Sequence, residues 1–123
     1  MARILITGSS DGLGLMAGQL LAGQQHEVVA HARSESRAAD TRRSLPEASE
    51  VVVGDLSTLA GVHQVAQAAN ATGRFDAVIH NAALGSNERR VVTDDGLAHV
   101  FAVNVLAPYV LTALVEMPSR LVY

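Results

Sequence analysis

The stretch Thr-Gly-Ser-Ser-Asp-Gly-Leu-Gly at residues 7–14 decides the fold of this chain. It lies between a short apolar run and an amphipathic stretch, and so between a predicted strand and a predicted helix, where dinucleotide-binding turns are found. In such a turn Gly8 permits the tight bend, Gly12 lets the backbone approach a pyrophosphate, and Gly14 lets the helix pack close to the strand. Unpaired N–H groups at the start of the helix favour phosphate there. We therefore predict a dinucleotide site at this turn.

The rest of the chain repeats the alternation of apolar runs and amphipathic stretches, which is typical of βα units on a parallel sheet. The predicted strands are Arg3–Thr7, Glu27–Ala32, Glu50–Gly54, Asp76–His80 and a fifth that begins at Arg120. The predicted helices are Gly12–Gln24, Glu35–Ser44, Leu59–Ala71 and Asp95–Val115, with Thr58 and Asp94 capping the last two. Right-handed crossovers then give one α/β domain over residues 1–123, a Rossmann-like doubly wound parallel sheet of strand order 3-2-1-4-5 that ends at strand five.

Composition excludes several classes of function. The 123 residues are 49% hydrophobic, enough for a core, and nine basic against twelve acidic side chains give no field that would hold a nucleic acid. There is no cysteine, the five histidines show no ligand spacing, and so no metal site is predicted. No apolar run approaches the ~20 residues that span a bilayer, and the N-terminus does not resemble a signal peptide. We expect a cytoplasmic protein that contacts neither membrane nor nucleic acid.

Polar or small residues follow each of the first four predicted strands. The glycine turn follows strand one, Ala32-Arg33 strand two, Asp55-Leu56 strand three and Asn81-Ala82-Ala83 strand four. Since ligands of open α/β sheets bind at the carboxyl ends of the strands, where the strand order reverses, these segments should meet in one crevice.

The end of strand two predicts the coenzyme. An acidic residue there would accept hydrogen bonds from the ribose 2′-hydroxyl of NAD, whereas NADP requires a cation for its 2′-phosphate. Ala32 fills the acidic position and Arg33 follows it, with a planar fork that suits phosphate, while Ser34 adds a hydroxyl. NADP(H) is therefore favoured over NAD(H). The alternative is that Arg33 is only a solvated charge.

The spacing Gly-x-x-x-Gly-x-Gly after a threonine, together with residues 93–112, resembles the short-chain dehydrogenase/reductase family, most closely its retinol-dehydrogenase-like branch. The resemblance runs from Ala2 to Tyr123. It implies an NADP(H)-dependent oxidoreductase that acts on a small carbonyl or alcohol substrate and forms a homo-oligomer. One departure is Asp11, which occupies a position where the family often has a second cation.

The resemblance also implies roles for individual residues. Asp55 would accept from the adenine amino group, with a helix N-terminal turn residue as the alternative, and the polar Asn104 matches the asparagine of the catalytic tetrad, with an ordinary buried helix asparagine as the alternative. His80 is expected to be a structural hydrogen-bonding residue more than a base. The candidate cofactor-binding residues are Thr7, Gly8, Ser10, Gly12, Leu13, Gly14, Arg33, Ser34, Asp55, Leu56, Asn81, Ala82 and Ala83, and Asn104 is the candidate catalytic residue.

The family's catalytic serine, tyrosine and lysine cannot be placed here, because the sequence contains no lysine and stops at Tyr123, before the position expected for the serine. Tyr109 is expected to pack within its helix, and Tyr123 to lie in strand five. The resemblance therefore predicts the coenzyme-binding half of a longer enzyme, inactive by itself. A dinucleotide-binding sensor or assembly module without turnover remains the alternative. An enzyme acting on nucleotide sugars is disfavoured, because that group normally has Gly-x-x-Gly-x-x-Gly.

Overall fold

Five parallel strands form one sheet in the computed structural model, which describes residues 1–85 and 89–123. The order is β3-β2-β1-β4-β5, as the sequence predicted. The strands are β1 (Arg3–Ile6), β2 (Glu27–Ala32), β3 (Glu50–Val53), β4 (Ala77–Ile79) and β5 (Arg120–Val122). The order reverses beside β1, so the connections that follow β1 and β4 lead to opposite faces of the sheet and leave a crevice between them.

Three predicted helices are confirmed to within a residue or so. They are α1 (Gly12–Gly23), α2 (Glu35–Ser44) and α3 (Leu59–Thr72). The Thr58 hydroxyl accepts from the N–H of Gly61 at 3.0 Å and caps α3, as expected.

The predicted fourth helix is wrong at its start. Helix α4 (His99–Phe101) begins four residues later than predicted, continues through a π-helical turn (Ala102–Leu106) and ends as α5 (Ala107–Leu114). Ala98 holds the N-cap position, so Asp94 is not the cap. The reason is a closed turn before the helix: the N–H of Thr93 donates to the carbonyl of Leu97 at 2.7 Å, and Gly96 has φ +77°.

The two central strands, β1 and β2, are buried on both faces, which is why they lack the polar alternation of a half-exposed sheet, whereas β5 is exposed at the edge. Leu5 and Val29 pack against α3 and α5 on one face, while Ile4, Ile6 and Val28 pack with Leu45 on the other. Tyr109 was expected to pack but is 72% exposed, because its position on α5 faces away from this core. Within the described residues, no helix is long and apolar enough to cross a membrane.

Candidate dinucleotide site

A cavity of about 720 Å³ lies at the carboxyl edge of the sheet, where the four predicted segments meet. Ten of the predicted cofactor-binding residues line it: Gly8, Ser10, Gly12, Leu13, Arg33, Asp55, Leu56, Asn81, Ala82 and Ala83. Thr7, Gly14, Ser34 and Asn104 do not line it, and each has a different structural contact. The juxtaposition expected from the parallel topology is therefore present.

The glycine turn requires its glycines for separate reasons. Gly8 and Gly12 have φ of +64° and +55°, a region that other residues rarely adopt. Gly14 lies under the turn, where an added Cβ would overlap the Gly8 carbonyl and lie 2.5 Å from Asn81 Nδ2. The turn is thus shaped by positive φ at Gly8 and Gly12 and by close packing at Gly8 and Gly14, since a Cβ at Gly8 would lie 2.8 Å from Ala82 Cα.

Thr7 joins the ends of β1 and β4. Its buried hydroxyl oxygen accepts from the N–H groups of Asn81 at 3.0 Å and Ala82 at 3.1 Å. The Asn81 amide in turn donates to the Gly8 carbonyl at 3.1 Å. These bonds fix the crevice between the two strands, so Thr7 supports the cavity from behind its wall.

The first turn of α1 begins with free N–H donors, and two of the residues that carry them, Gly12 and Leu13, line the cavity. Among the described residues, none accepts a hydrogen bond from the N–H groups of Gly12, Leu13 and Gly14. Asp11 holds the N-cap position with extended backbone, yet its side chain makes no capping hydrogen bond. An uncapped helix N-terminus facing a cavity is suited to an anion, because the donors and the helix dipole act together.

Two arginines line the same cavity. Arg33 was predicted; Arg37, in the first turn of α2, was not, although a residue at that point of a helix following β2 lies at the same sheet edge. Arg37 Nη2 donates to Asp11 Oδ2 at 2.7 Å. Ser34 caps α2 by accepting from the N–H of Arg37 at 3.2 Å, which leaves its own O–H free to donate.

His31 is a site residue that the sequence reasoning missed. It is 2% exposed, and its Nδ1 accepts from the N–H of Gly8 at 2.9 Å while its Nε2 donates to the carbonyl of Gly54 at 2.8 Å. The ring thus joins the turn after β1 to the end of β3. Burial lowers the pKa of His31, against smaller opposing effects of the Gly54 carbonyl and Asp55.

Protonation of His31 should destabilise the protein, because a proton on Nδ1 would face the N–H of Gly8. The pKa is lower in the folded chain than its ordinary 6.5, so the unfolded chain binds the proton more readily. We expect the contribution of neutral His31 to be complete above about pH 6.5 and to be lost as the pH falls further.

Urea unfolding at about pH 7.5 and pH 5.5 checks this, with the expected difference diminished in His31→Gln and retained in the exposed control His63→Gln. An unchanged pH dependence in His31→Gln would assign the effect to other groups.

Asp55 begins the connection from β3 to α3. Its Oδ1 accepts from the N–H of Ser57 at 2.9 Å, and its side chain is exposed at the cavity wall. The bond to Ser57 is what a turn residue makes, while the second carboxylate oxygen remains open for a donor such as an adenine amino group. The geometry is compatible with both interpretations.

Asn104 lies on the π-helical turn, half-buried and outside the cavity. Its Oδ1 accepts from the N–H of Leu84 at 2.7 Å and its Nδ2 donates to the Leu84 carbonyl at 3.0 Å. The side chain thereby anchors the segment that follows Asn81-Ala82-Ala83. This contact fits the structural alternative for Asn104, although π-helical turns also occur often at functional sites.

His80 has the structural contacts expected of it. Its N–H donates to Val122 at 2.8 Å, its ring stacks on Tyr123 with centroids 4.9 Å apart, and its Nε2 lies 3.4 Å from the Thr112 hydroxyl. Burial lowers its pKa. These contacts join the ends of β4 and β5.

Comparison with known proteins agrees with this arrangement. The short chain dehydrogenase family matches residues 2–118, and the chain belongs to that family. The uncharacterized oxidoreductase AN7799 of Emericella nidulans is 48% identical over all of this chain and 49% of its own length. The short-chain dehydrogenase chyC of Penicillium rubens is 48% identical over all of this chain and 47% of its own length. The chain therefore spans about half the length of the curated relatives it matches.

Solved structures give the same fold. A short-chain dehydrogenase from Sphingobium yanoikuyae in complex with NADPH has a TM-score of 0.71 at 28% identity, covering 94% of this chain and 47% of that one. The L-sorbose reductase of Gluconobacter frateurii, complexed with NADPH and L-sorbose, has a TM-score of 0.76 at 29% identity, covering 93% of this chain and 46% of that one. The chain is thus part of an oxidoreductase family with a nicotinamide dinucleotide coenzyme.

Proposed function

We propose that this chain binds NADP(H) in the cavity and is the coenzyme-binding half of an oxidoreductase that acts on a carbonyl or alcohol. The observation that carries the proposal is the end of β2: the strand ends in Ala32, without a carboxylate, and Arg33, which follows it, lines the cavity. The Arg33 guanidinium is suited to a 2′-phosphate, whereas NAD would require an acceptor for its 2′-hydroxyl. NADPH in complexes of related structures supports the same choice.

The remaining residues fit the rest of a dinucleotide. The free N–H groups at the start of α1 would hold the pyrophosphate, and Asp55 with Leu56 would contact the adenine. Asn81, Ala82 and Ala83 would lie beside the nicotinamide ribose. When bound, the coenzyme would supply the hydride; this chain's residues bind and orient it.

Hydride transfer by these 123 residues alone is not expected. They contain no lysine, and therefore no Tyr-x-x-x-Lys. Loss of a positioned general acid typically costs ~10²–10⁴ in rate. Asn104 is proposed as a relay residue only within the whole enzyme, since its side chain is bonded to Leu84 here.

A homo-oligomer is also proposed. Phe101, Val105 and Tyr109 lie four residues apart and are 46%, 55% and 72% exposed, so that α4 to α5 presents an apolar stripe. Such a stripe is suited to contact with another polypeptide.

Replacement of Arg33 tests the coenzyme assignment. Arg33→Ala should weaken NADPH binding by about 1.5–3 kcal/mol, through loss of a charge-assisted contact to the 2′-phosphate, and leave NADH binding almost unchanged. Fluorescence titration with both coenzymes measures this. Arg42→Ala, an exposed arginine of α2 outside the cavity, is the matched control. Equal weakening of both coenzymes would show that Arg33 does not discriminate between them.

A further inference from the structure

The contact between Asp11 and Arg37 leaves a helix uncapped. Aspartate is among the residues that most favour the N-cap position, where its carboxylate accepts from the second or third N–H of the helix. Asp11 occupies that position of α1 with φ −155° and ψ −179°, yet its carboxylate bonds to Arg37 Nη2 at 2.7 Å and not to the helix. The N–H groups that it would otherwise occupy are those of Leu13 and Gly14.

The alternative position of Asp11 would interfere with an anion. A carboxylate on the first turn of α1 would use donors that the cavity presents and would place a negative charge where the pyrophosphate is proposed to bind. Both effects oppose binding of the same dinucleotide. The position of one side chain therefore decides whether the helix N-terminus is open.

We propose that Arg37 is a positioning residue that holds the Asp11 carboxylate away from the start of α1 and so keeps that N-terminus open for the pyrophosphate. The inference rests on the proposed function. Arg37 is anchored for this task, because its own N–H is held by the Ser34 cap of α2. Asp11 stands where the family often has a cation, and its negative charge is paired with Arg37 of α2.

The ion pair contributes little to the fold. The side chains of Arg37 and Asp11 are 34% and 79% exposed, and pairs of that kind add little stability. A purely structural role would therefore leave both thermal stability and coenzyme affinity almost unchanged when Arg37 is replaced. A positioning role changes affinity while stability stays the same, or rises slightly as the cap forms.

The test is a double-variant cycle read out by coenzyme affinity. Arg37→Ala should weaken NADPH and NADH alike, by roughly tenfold, which is the range of an N-cap's contribution. Adding Asp11→Ala should restore both to within about twofold of wild type, because no carboxylate is left to cap the helix. Arg37→Lys should retain most of the affinity, and Arg42→Ala should retain all of it.

A readout without coenzyme separates this inference from the proposed function. In Arg37→Ala the backbone amide protons of Leu13 or Gly14 should shift downfield in nuclear magnetic resonance spectra, as expected of a new bond to a carboxylate, and return in the double variant. Those shifts would support the positioning role even if no dinucleotide bound, in which case the proposed function alone would fail. Absence of the shifts would overturn the inference. So would a loss confined to NADPH that Asp11→Ala does not restore, since Arg37 would then be a direct ligand of the 2′-phosphate.

Discussion

Gly14→Ala is expected to lower the free energy of unfolding by about 2 kcal/mol and to weaken dinucleotide binding with it. An added Cβ would overlap the Gly8 carbonyl and lie 2.5 Å from Asn81 Nδ2, so that the helix, the turn or the Asn81 bond must move. Overpacking against backbone of this kind costs about 1–3 kcal/mol and exceeds the gain of up to about 1 kcal/mol in helix propensity.

Urea denaturation measures the effect of Gly14→Ala. Gly23→Ala is the matched control, because Gly23 ends the same helix and, in the part of the chain that the structure describes, an added Cβ would meet no atom within 4 Å. That variant should be as stable as wild type or slightly more so. Equal stability of the Gly14 and Gly23 variants would contradict the close approach of α1 to the turn.

Gly12→Val should abolish dinucleotide binding while the fold is retained. An added Cβ at Gly12 has no atom of the described residues within 4 Å, so the side chain enters the open cavity, where the pyrophosphate is proposed to approach. The φ of +55° adds strain of about 1–2 kcal/mol, which a folded domain tolerates. Loss of two charge-assisted contacts would reduce affinity by at least ~100-fold.

Gly96→Val controls for the strain in Gly12→Val. Gly96 also has a positive φ, +77°, and open space around it, but it does not line the cavity. Its replacement should cost similar stability and leave coenzyme affinity unchanged. A folded Gly12→Val variant with wild-type affinity would show that the pyrophosphate does not bind at this turn.

Local sequence pattern was sufficient for most of the fold. Short-range periodicity predicts the buried strands and the first three helices. The right-handedness of crossovers then predicts the strand order, so that both could be inferred from the sequence. Gly8 and Arg33 were identified in the same way, since a turn and a strand end are defined by their neighbours in sequence.

The features that were missed depend on contacts between distant segments. His31 is a polar residue in an apolar strand, and its role is visible only when Gly8 and Gly54, each 23 residues away, are placed against it. The late start of α4 follows from a turn closed by Gly96 and Thr93, which competes with the helical pattern of residues 95–98. The catalytic role of Asn104 was predicted from a sequence motif, and that motif does not specify its hydrogen bonds to Leu84.

The most direct test of the coenzyme assignment is a crystal structure of the protein with NADP⁺ bound. We expect the pyrophosphate on the N–H groups of Leu13 and Gly14, and the 2′-phosphate within hydrogen-bond distance of the Arg33 guanidinium. A nucleotide bound outside this cavity, or bound here with its 2′-phosphate turned to solvent away from Arg33, would contradict it.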